Sequence, residues 1–356
     1  MTEYYGMLLV RKNKGGDIMS HSPRTAYFDN AKFLLMILVV FSHLLQPFIG
    51  DHKFYHDLYY FIFTFHMPAF VFLAGYFAKP LTKGSKVRDL VKKFLLPYVF
   101  FQLFYTVYYW VIGLDASLNI QLLNPQWALW FLLSMFFWQL SLVFFQKMTA
   151  RKAILLSVLL SIFAGYLPFI NQVLTLQRTF VFLPFFIIGF YFPKNEMQFL
   201  QGTRIKKISL VFLPIIYLFI ALFHGMNKYM VFGSKPYEDY LSYPLFGGPL
   251  RGVFFVIGLL GIIGFLRLVP RQQLFFTKWG KNTLLVYLLQ GIFIKGLRAL
   301  AITELNLSLL GFMALIVVSV LLTILLASRP VRQFYARFEE GISFVLLGLG
   351  IFMIAN

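Results

Sequence analysis

Ten apolar stretches, each long enough or nearly long enough to cross a lipid bilayer, follow one another along this chain with only short polar breaks. They lie at 31–49, 58–78, 90–112, 126–146, 153–170, 179–193, 207–224, 249–268, 279–298 and 307–327. A spanning helix needs about 20 mostly apolar residues, and in hydrocarbon only a helix or a closed barrel satisfies its own backbone. The pattern predicts an all-α, polytopic membrane protein of about ten transmembrane helices. A last apolar run, Ile342 to Ala355, reaches only about 21 Å as a helix against a hydrocarbon core of roughly 30 Å. It is expected to be half-inserted or interfacial.

The composition excludes a soluble protein. Of 356 residues, 60% are hydrophobic and only 13% charged, with a mean hydropathy of +0.76. There is no cysteine, which removes disulfides, thiolate metal sites and a cysteine nucleophile. Residues 1–30 mix Arg11, Lys12, Lys14, Asp17 and Pro23 with a short apolar run, and no small-residue cleavage site follows. They read as a cytosolic lead rather than a signal peptide. A transmembrane domain at 31–327 and a basic segment with a short apolar tail at 328–356 complete the expected organisation.

Lysine and arginine near helix ends stay on the cytoplasmic side, so the loops orient the chain. Alternate connections collect Arg11, Lys12, Lys14, Arg24, Lys32, Lys79, Lys83, Lys86, Arg88, Lys92, Lys93, Lys147, Arg151, Lys152, Lys194, Arg204, Lys206 and Lys207 on one side. Arg267, Arg271, Lys278, Lys281, Arg329, Arg332 and Arg337 fall on that side too. Of the 32 basic residues, the other side holds only Lys53, Arg178, Lys228, Lys235, Arg251, Lys295 and Arg298. Both termini are therefore expected in the cytosol. The same distribution explains the net charge of +19 without nucleic acid: six short segments against an anionic leaflet do not form a basic domain. The densest cluster includes Arg88, Lys92 and Lys93, and its charge suits an anionic cofactor.

Ionisable groups are expensive in lipid, which singles out His43 in the first stretch and Lys32 eleven residues before it. Eleven residues of helix make about three turns, returning both side chains to nearly one face roughly 16 Å apart along the axis. With the orientation above, His43 lies six residues from the outer end of its stretch, and His66 and Gln290 lie eight from the outer ends of theirs. Ser42, Gln46, Trp127, Trp130 and Arg251 fall near the same level. Plainer roles exist for most of them. The tryptophans fit an interfacial belt, His66 a helix-packing donor, and Lys32 a side chain reaching to the inner surface. His52 and His56 have metal-ligand spacing, yet they sit in a short loop with no third ligand in view, so no metal is expected. His43, mid-helix, is the hardest to explain in such terms.

Histidine is the side chain best suited to take a proton from a hydroxyl near neutral pH. No sequence signature for a covalent intermediate accompanies it, so direct attack by an acceptor hydroxyl is the simpler proposal. Lys32 suits a phosphate of the donor, bound as a point charge, with a slender thioester arm extending towards His43. That arrangement predicts a path from one to the other.

The chain resembles the acyltransferase 3 family of bacterial membrane O-acyltransferases. The hallmark, a basic residue, ten intervening residues and a histidine, stands here as Lys32 and His43 in DNAKFLLMILVVFSH. FTFHMPAFVFLAGYF at 63–77, ALWFLLSMF at 128–136, FLPFFIIGFYF at 182–192 and WGKNTLLVYLLQ at 279–290 are similar to later family blocks, in the expected order. Lysine stands where the family commonly has arginine, and Gln290 stands where the last block often has histidine. The Asp29, Lys32 and His43 version with FHMP resembles the fucose 4-O-acetylase-like branch. The resemblance implies acyl-CoA, usually acetyl-CoA, as cytosolic co-substrate, with no permanently bound cofactor. It implies a hydroxyl of an extracytoplasmic or lipid-linked carbohydrate as acceptor, and the bacterial plasma membrane as location. It assigns His43 to catalysis and Lys32 to the donor side, with Asp29 positioning Lys32 and with His66 and Trp130 as site residues. The competing expectation, from helix number and aromatic content alone, is an exporter or flippase of a surface polysaccharide or lipid-linked oligosaccharide.

Overall fold

The computed structural model describes residues 23–81, 87–193, 203–223, 226–300 and 307–337, without the side chains of 23–25 and 203–210. Residues 1–22 of the N-terminal lead, Lys83, Lys86, Lys194 and the 342–355 tail lie outside the described residues, while residues 23–30, expected to belong to the lead, form the first turns of α1. Among the described residues every regular element is a helix, as the apolar pattern predicts. Each of the ten apolar stretches carries a helix. Among the described residues, seven are long and apolar enough to cross a membrane: Ala26–Phe48, Lys53–Phe77, Val87–Val111, Trp127–Phe145, Val173–Tyr191, Pro244–Leu268 and Leu309–Leu326. The other three stretches carry shorter or less fully described helices, Ala150–Ala164, Thr203–Leu222 and Thr283–Ala299. At 1.5 Å per residue the first of these extends only about 22 Å.

The chain folds as two compact units. One contains the described residues up to Leu44, Val269–Ile294 and those from Ser308 onward; the other contains Leu45–Leu268 and Lys295–Leu307. In the first unit, α1 (Pro23–Leu45) runs without interruption through Lys32 and His43. It gives way to a 3-10 turn at Gln46–Phe48, because Pro47 offers no N–H and disfavours helix in the residue before it. α11 (Thr283–Ala299) and α12 (Leu309–Leu326) supply the other long helices, α11 leaving this unit at Ile294. Ser308 caps α12 by accepting from the Gly311 N–H at 3.1 Å. Asn282 ties the far end of α12 by donating to the Ala327 carbonyl at 2.7 Å.

The second unit begins with α2 (Lys53–Phe77), capped by His52, whose Nδ1 accepts from the Phe54 N–H at 3.1 Å. His52 is thus a helix cap, and His56 sits against Asp57 at 3.1 Å. A short turn α3 (Val87–Leu90) leads through a π turn at Val91–Leu95 into α4 (Leu96–Val111). α5 (Trp130–Phe145), α6 (Ala150–Ala164), α7 (Leu176–Tyr191), α8 (Thr203–Leu222), the short α9 (Lys228–Phe232) and α10 (Gly247–Leu268) follow. α2 and α7 approach most closely. A Cβ on Gly75 would run into the Phe186 carbonyl, and one on Gly189 into the Phe72 carbonyl, so two glycines let the two backbones touch. Both belong to blocks that carry the family resemblance.

Candidate active site

The Lys32 end of α1 is held by a clasp from the Val269–Asn282 stretch. Asn30, with no exposed surface, donates through Nδ2 to the carbonyls of Pro270 at 2.9 Å and Gln272 at 3.0 Å. Its Oδ1 accepts from the Thr277 hydroxyl at 2.6 Å, so both ends of the amide are used. Gly280 packs directly on the backbone of Asp29, where any side chain would collide with the carbonyl. Phe33 stacks on Phe276 with centroids 5.3 Å apart and lies 5.7 Å from Trp279. One turn of helix, fixed from one side by polar bonds and from the other by rings, presents Asp29 and Lys32. Those two form an ion pair at 2.8 Å, with Lys32 about one-fifth exposed and Asp29 one-tenth.

Beyond Lys32, its face of α1 is lined by the buried Met36, Val39 and Val40 before His43 is reached. Ser42 turns its hydroxyl back to the Val39 carbonyl at 2.9 Å, while His43 is half-buried between buried neighbours. Because α1 is unbroken, the separation of about 16 Å expected from helical rise applies to this pair. Gln290, in the same unit, has no exposed surface, and neither its amide nitrogen nor its oxygen has a partner among the described residues. A buried amide left so costs about 1–3 kcal/mol per group, and such a residue points to a ligand or water.

The other expected site residues belong to the second unit. His66 is 1% exposed, and its Nδ1–H donates to the Ile62 carbonyl at 2.8 Å, one turn back. That bond fixes the neutral tautomer and leaves Nε2 as the lone pair the ring has to offer. Trp130 is stacked on Phe182 at 5.4 Å, and the Arg178 guanidinium lies 4.9 Å from its ring centroid. Arg88 sits on α3, and Lys92 and Lys93 on the π turn that follows, all half-buried, with the Lys93 ammonium 5.1 Å from the Phe94 ring.

Arg251 is 5% exposed and has no carboxylate within ion-pair distance among the described residues. Its guanidinium lies 5.5 Å from the ring of Tyr237 and 3.5 Å from the Tyr240 hydroxyl, while Nη1 has no partner among the described residues. Burial, opposed by the nearby Arg251 charge, holds both phenols above their ordinary pKa. The guanidinium borders a small cavity of about 30 Å³ with Thr64, Pro68 and Ser161. Pro68 contributes to it physically, since its missing N–H leaves the Thr64 carbonyl without the usual helical partner. The space suits a water or two rather than a sugar.

Among the described residues no group of three or more histidine, aspartate or glutamate side chains is arranged to hold a metal. Lys295 and Arg298, which stand in the sequence as outer-side cations, meet Tyr109 in the second unit, the Lys295 ammonium 5.0 Å from its ring centroid and Arg298 within electrostatic range. The only signal for them was that two of the few cations on the sparsely charged side fall three residues apart on α11.

The family model described as an acyltransferase domain matches residues 25–328 of the chain. The chain is similar to the nodulation protein NolL of Mesorhizobium japonicum, 27% identical over 305 residues that cover 79% of each protein. It is also similar to the nodulation protein NolL of Sinorhizobium fredii, 30% identical over 204 residues, 53% of this chain and 54% of that one. No solved structure is significantly similar.

Proposed function

Because the chain belongs to the acyltransferase domain family over nearly its whole length and is a membrane O-acyltransferase, we propose that it moves an acetyl group from cytosolic acetyl-CoA to an extracytoplasmic glycan hydroxyl. The observation that carries this reading is the single uninterrupted helix bearing both Lys32, clasped and paired to Asp29, and His43 about 16 Å further on. In it, Lys32 and the Arg88, Lys92 and Lys93 cluster attract the phosphates of acyl-CoA, and the thioester reaches towards His43. His43 takes the proton of the acceptor hydroxyl as its oxygen attacks the thioester carbonyl. The carbon–sulfur bond then breaks, the thiolate of CoA leaves and takes up the proton, and an ester remains on the sugar. Gln290 has no lone pair basic enough for that role and serves as a hydrogen-bonding partner of the substrate. The acceptor-side roles of His66, Trp130 and Arg251, the orientation with both termini in the cytosol, and the bacterial plasma membrane belong to the same proposal.

The test is mass spectrometry of surface glycans from cells carrying the parent or the His43→Ala variant, with membrane levels of both proteins measured in parallel. Loss of a base-labile acetyl mass with normal protein accumulation is the expected result, and removal of a general base costs about 10²–10⁴-fold in rate. Unchanged acetylation overturns the assignment. Loss of the whole surface polymer points instead to export.

A further inference from the structure

Arg251 is a buried cation whose charge nothing among the described residues balances, and it stands beside a cavity of limited size. It lies in the second turn of α10, 5% exposed, with Nη1 lacking a hydrogen-bond partner among the described residues. The acidic residues of the segment after α9 are engaged or turned to solvent: Asp239 pairs with Lys235 at 3.5 Å, and Glu238 is exposed. Asp57, buried on α2, is held by Lys53 and His56. The groups that do meet the guanidinium are phenolic, the Tyr237 ring at 5.5 Å and the Tyr240 hydroxyl at 3.5 Å.

The backbone makes room for this charge. Gly233 ends α9 with a φ of 56°, and a Cβ there would come within 2.5 Å of Val181 Cγ1 and 3.0 Å of Arg251 Nη1. Arg251 and Val181 both line the cavity of about 30 Å³. The hydroxyls on its wall are already committed as donors, Thr64 to the Phe61 carbonyl at 2.7 Å and Ser161 to the Val181 carbonyl at 3.2 Å. Much of the remaining lining is apolar, with Phe63, Phe182 and Phe254. The guanidinium is therefore the side-chain donor left on this wall for an incoming group, and apolar surroundings strengthen its pull on a negative charge.

A buried charge is tolerated when it is paired, and a water solvates a guanidinium without neutralising it. The cavity has space for about one or two water-sized groups. A tetrahedral oxyanion such as sulfate or phosphate overfills it, whereas a halide or a carboxylate group does not. We propose that Arg251 and this cavity form a binding site for one small monovalent anion, chloride or a carboxylate group. The space beside the anion takes one water, which donates to it and to the Thr64 carbonyl that Pro68 leaves without a helical partner. Two sources share this chemistry, the free ion and the carboxylate of an acidic acceptor sugar whose ring stays outside the cavity. Only the second source rests on the O-acyltransferase reading.

The full-length protein in a neutral detergent is titrated with sodium chloride, with sodium sulfate holding the ionic strength constant, following the line width of the chloride NMR signal and the melting temperature. Saturable broadening, reversed by sodium formate, and a melting temperature that rises with chloride are the expected results. Arg251→Met is expected to weaken binding by more than about tenfold and to make the melting temperature independent of chloride. Val231→Leu keeps the guanidinium and narrows the cavity, and is expected to bind several-fold more weakly, so the site is tested even where the first variant fails to accumulate. Absence of saturable broadening, failure of formate to reverse it, or a response unchanged in either variant overturns the proposal. Displacement of chloride by glucuronate and not by glucose assigns the site to the carboxylate of an acidic acceptor, and displacement by formate alone assigns it to the free ion. The His43→Ala variant is expected to bind chloride like the parent, so failure of acetyl transfer and failure of this site are read separately.

Discussion

Two polar regions of this protein are built on opposite terms. In the clasp around Asn30, each end of the buried amide is hydrogen-bonded, Thr277 closes the network, and Gly280 removes the last gap. At the Tyr59 and Tyr109 end the rings are as deeply buried, yet both hydroxyls stand unanswered among the described residues. A saturated network stabilises one geometry, because breaking any bond strands the others in a low-dielectric interior. An unsaturated one costs stability in the empty protein and lowers the cost of binding something that completes it. The first region is therefore held to one geometry by its bonds, and the second carries a cost in stability that the rest of the fold offsets.

Variants that break this contrast differ in which property they move. Gly280→Ala drives a methyl group into the Asp29 backbone and is expected to destabilise by about 3 kcal/mol, seen as a lowered melting temperature and reduced membrane accumulation. Asn30→Ala strands two carbonyls and the Thr277 hydroxyl and is expected to cost about 2–3 kcal/mol in the same assays. A melting temperature unchanged in Asn30→Ala would show that the clasp is ornamental. Lys32→Met, beside the clasp, is expected to raise KM for acetyl-CoA several-fold with a smaller change in kcat, since binding and not chemistry loses a charge. The Tyr59→Phe, Tyr109→Phe variant is expected to shift stability by less than about 0.5 kcal/mol, or to raise it, since no hydrogen bond among the described residues is lost. A large loss of stability in that variant would make the two regions alike and erase the distinction.

The helices were legible in the sequence because lipid leaves the backbone few choices, and every apolar stretch from 31–49 to 307–327 carries one. The eleven-residue spacing of Lys32 and His43 was legible for the same reason, since an unbroken helix converts spacing into geometry. What periodicity does not encode stayed hidden. Gly75, Gly189 and Gly280 stood inside recognisable blocks, but that each meets a backbone atom depends on which helix lies opposite. His52 looked like half of a ligand pair and is a cap, a difference set by one backbone dihedral at the start of α2. The π turn at Val91–Leu95 is a local backbone detail that hydropathy does not record, and the meeting of Lys295 with the Tyr109 ring joins segments far apart in the chain, for which alternation and charge counts have no term.

The unbroken course of α1 has a consequence for selectivity. With the roles proposed for Lys32 and His43, a rigid rod with a charged foot and an imidazole along its length would work as a ruler, measuring the donor from phosphate to thioester. An acyl group adds its own length beyond the thioester carbonyl, so the ruler fixes where the carbonyl stops and leaves the acyl tail to whatever space lies past His43. Discrimination between acetyl and longer donors is then written not in Lys32 or His43 but in the side chains around the mouth of that space, and it is there that a change of donor is to be engineered.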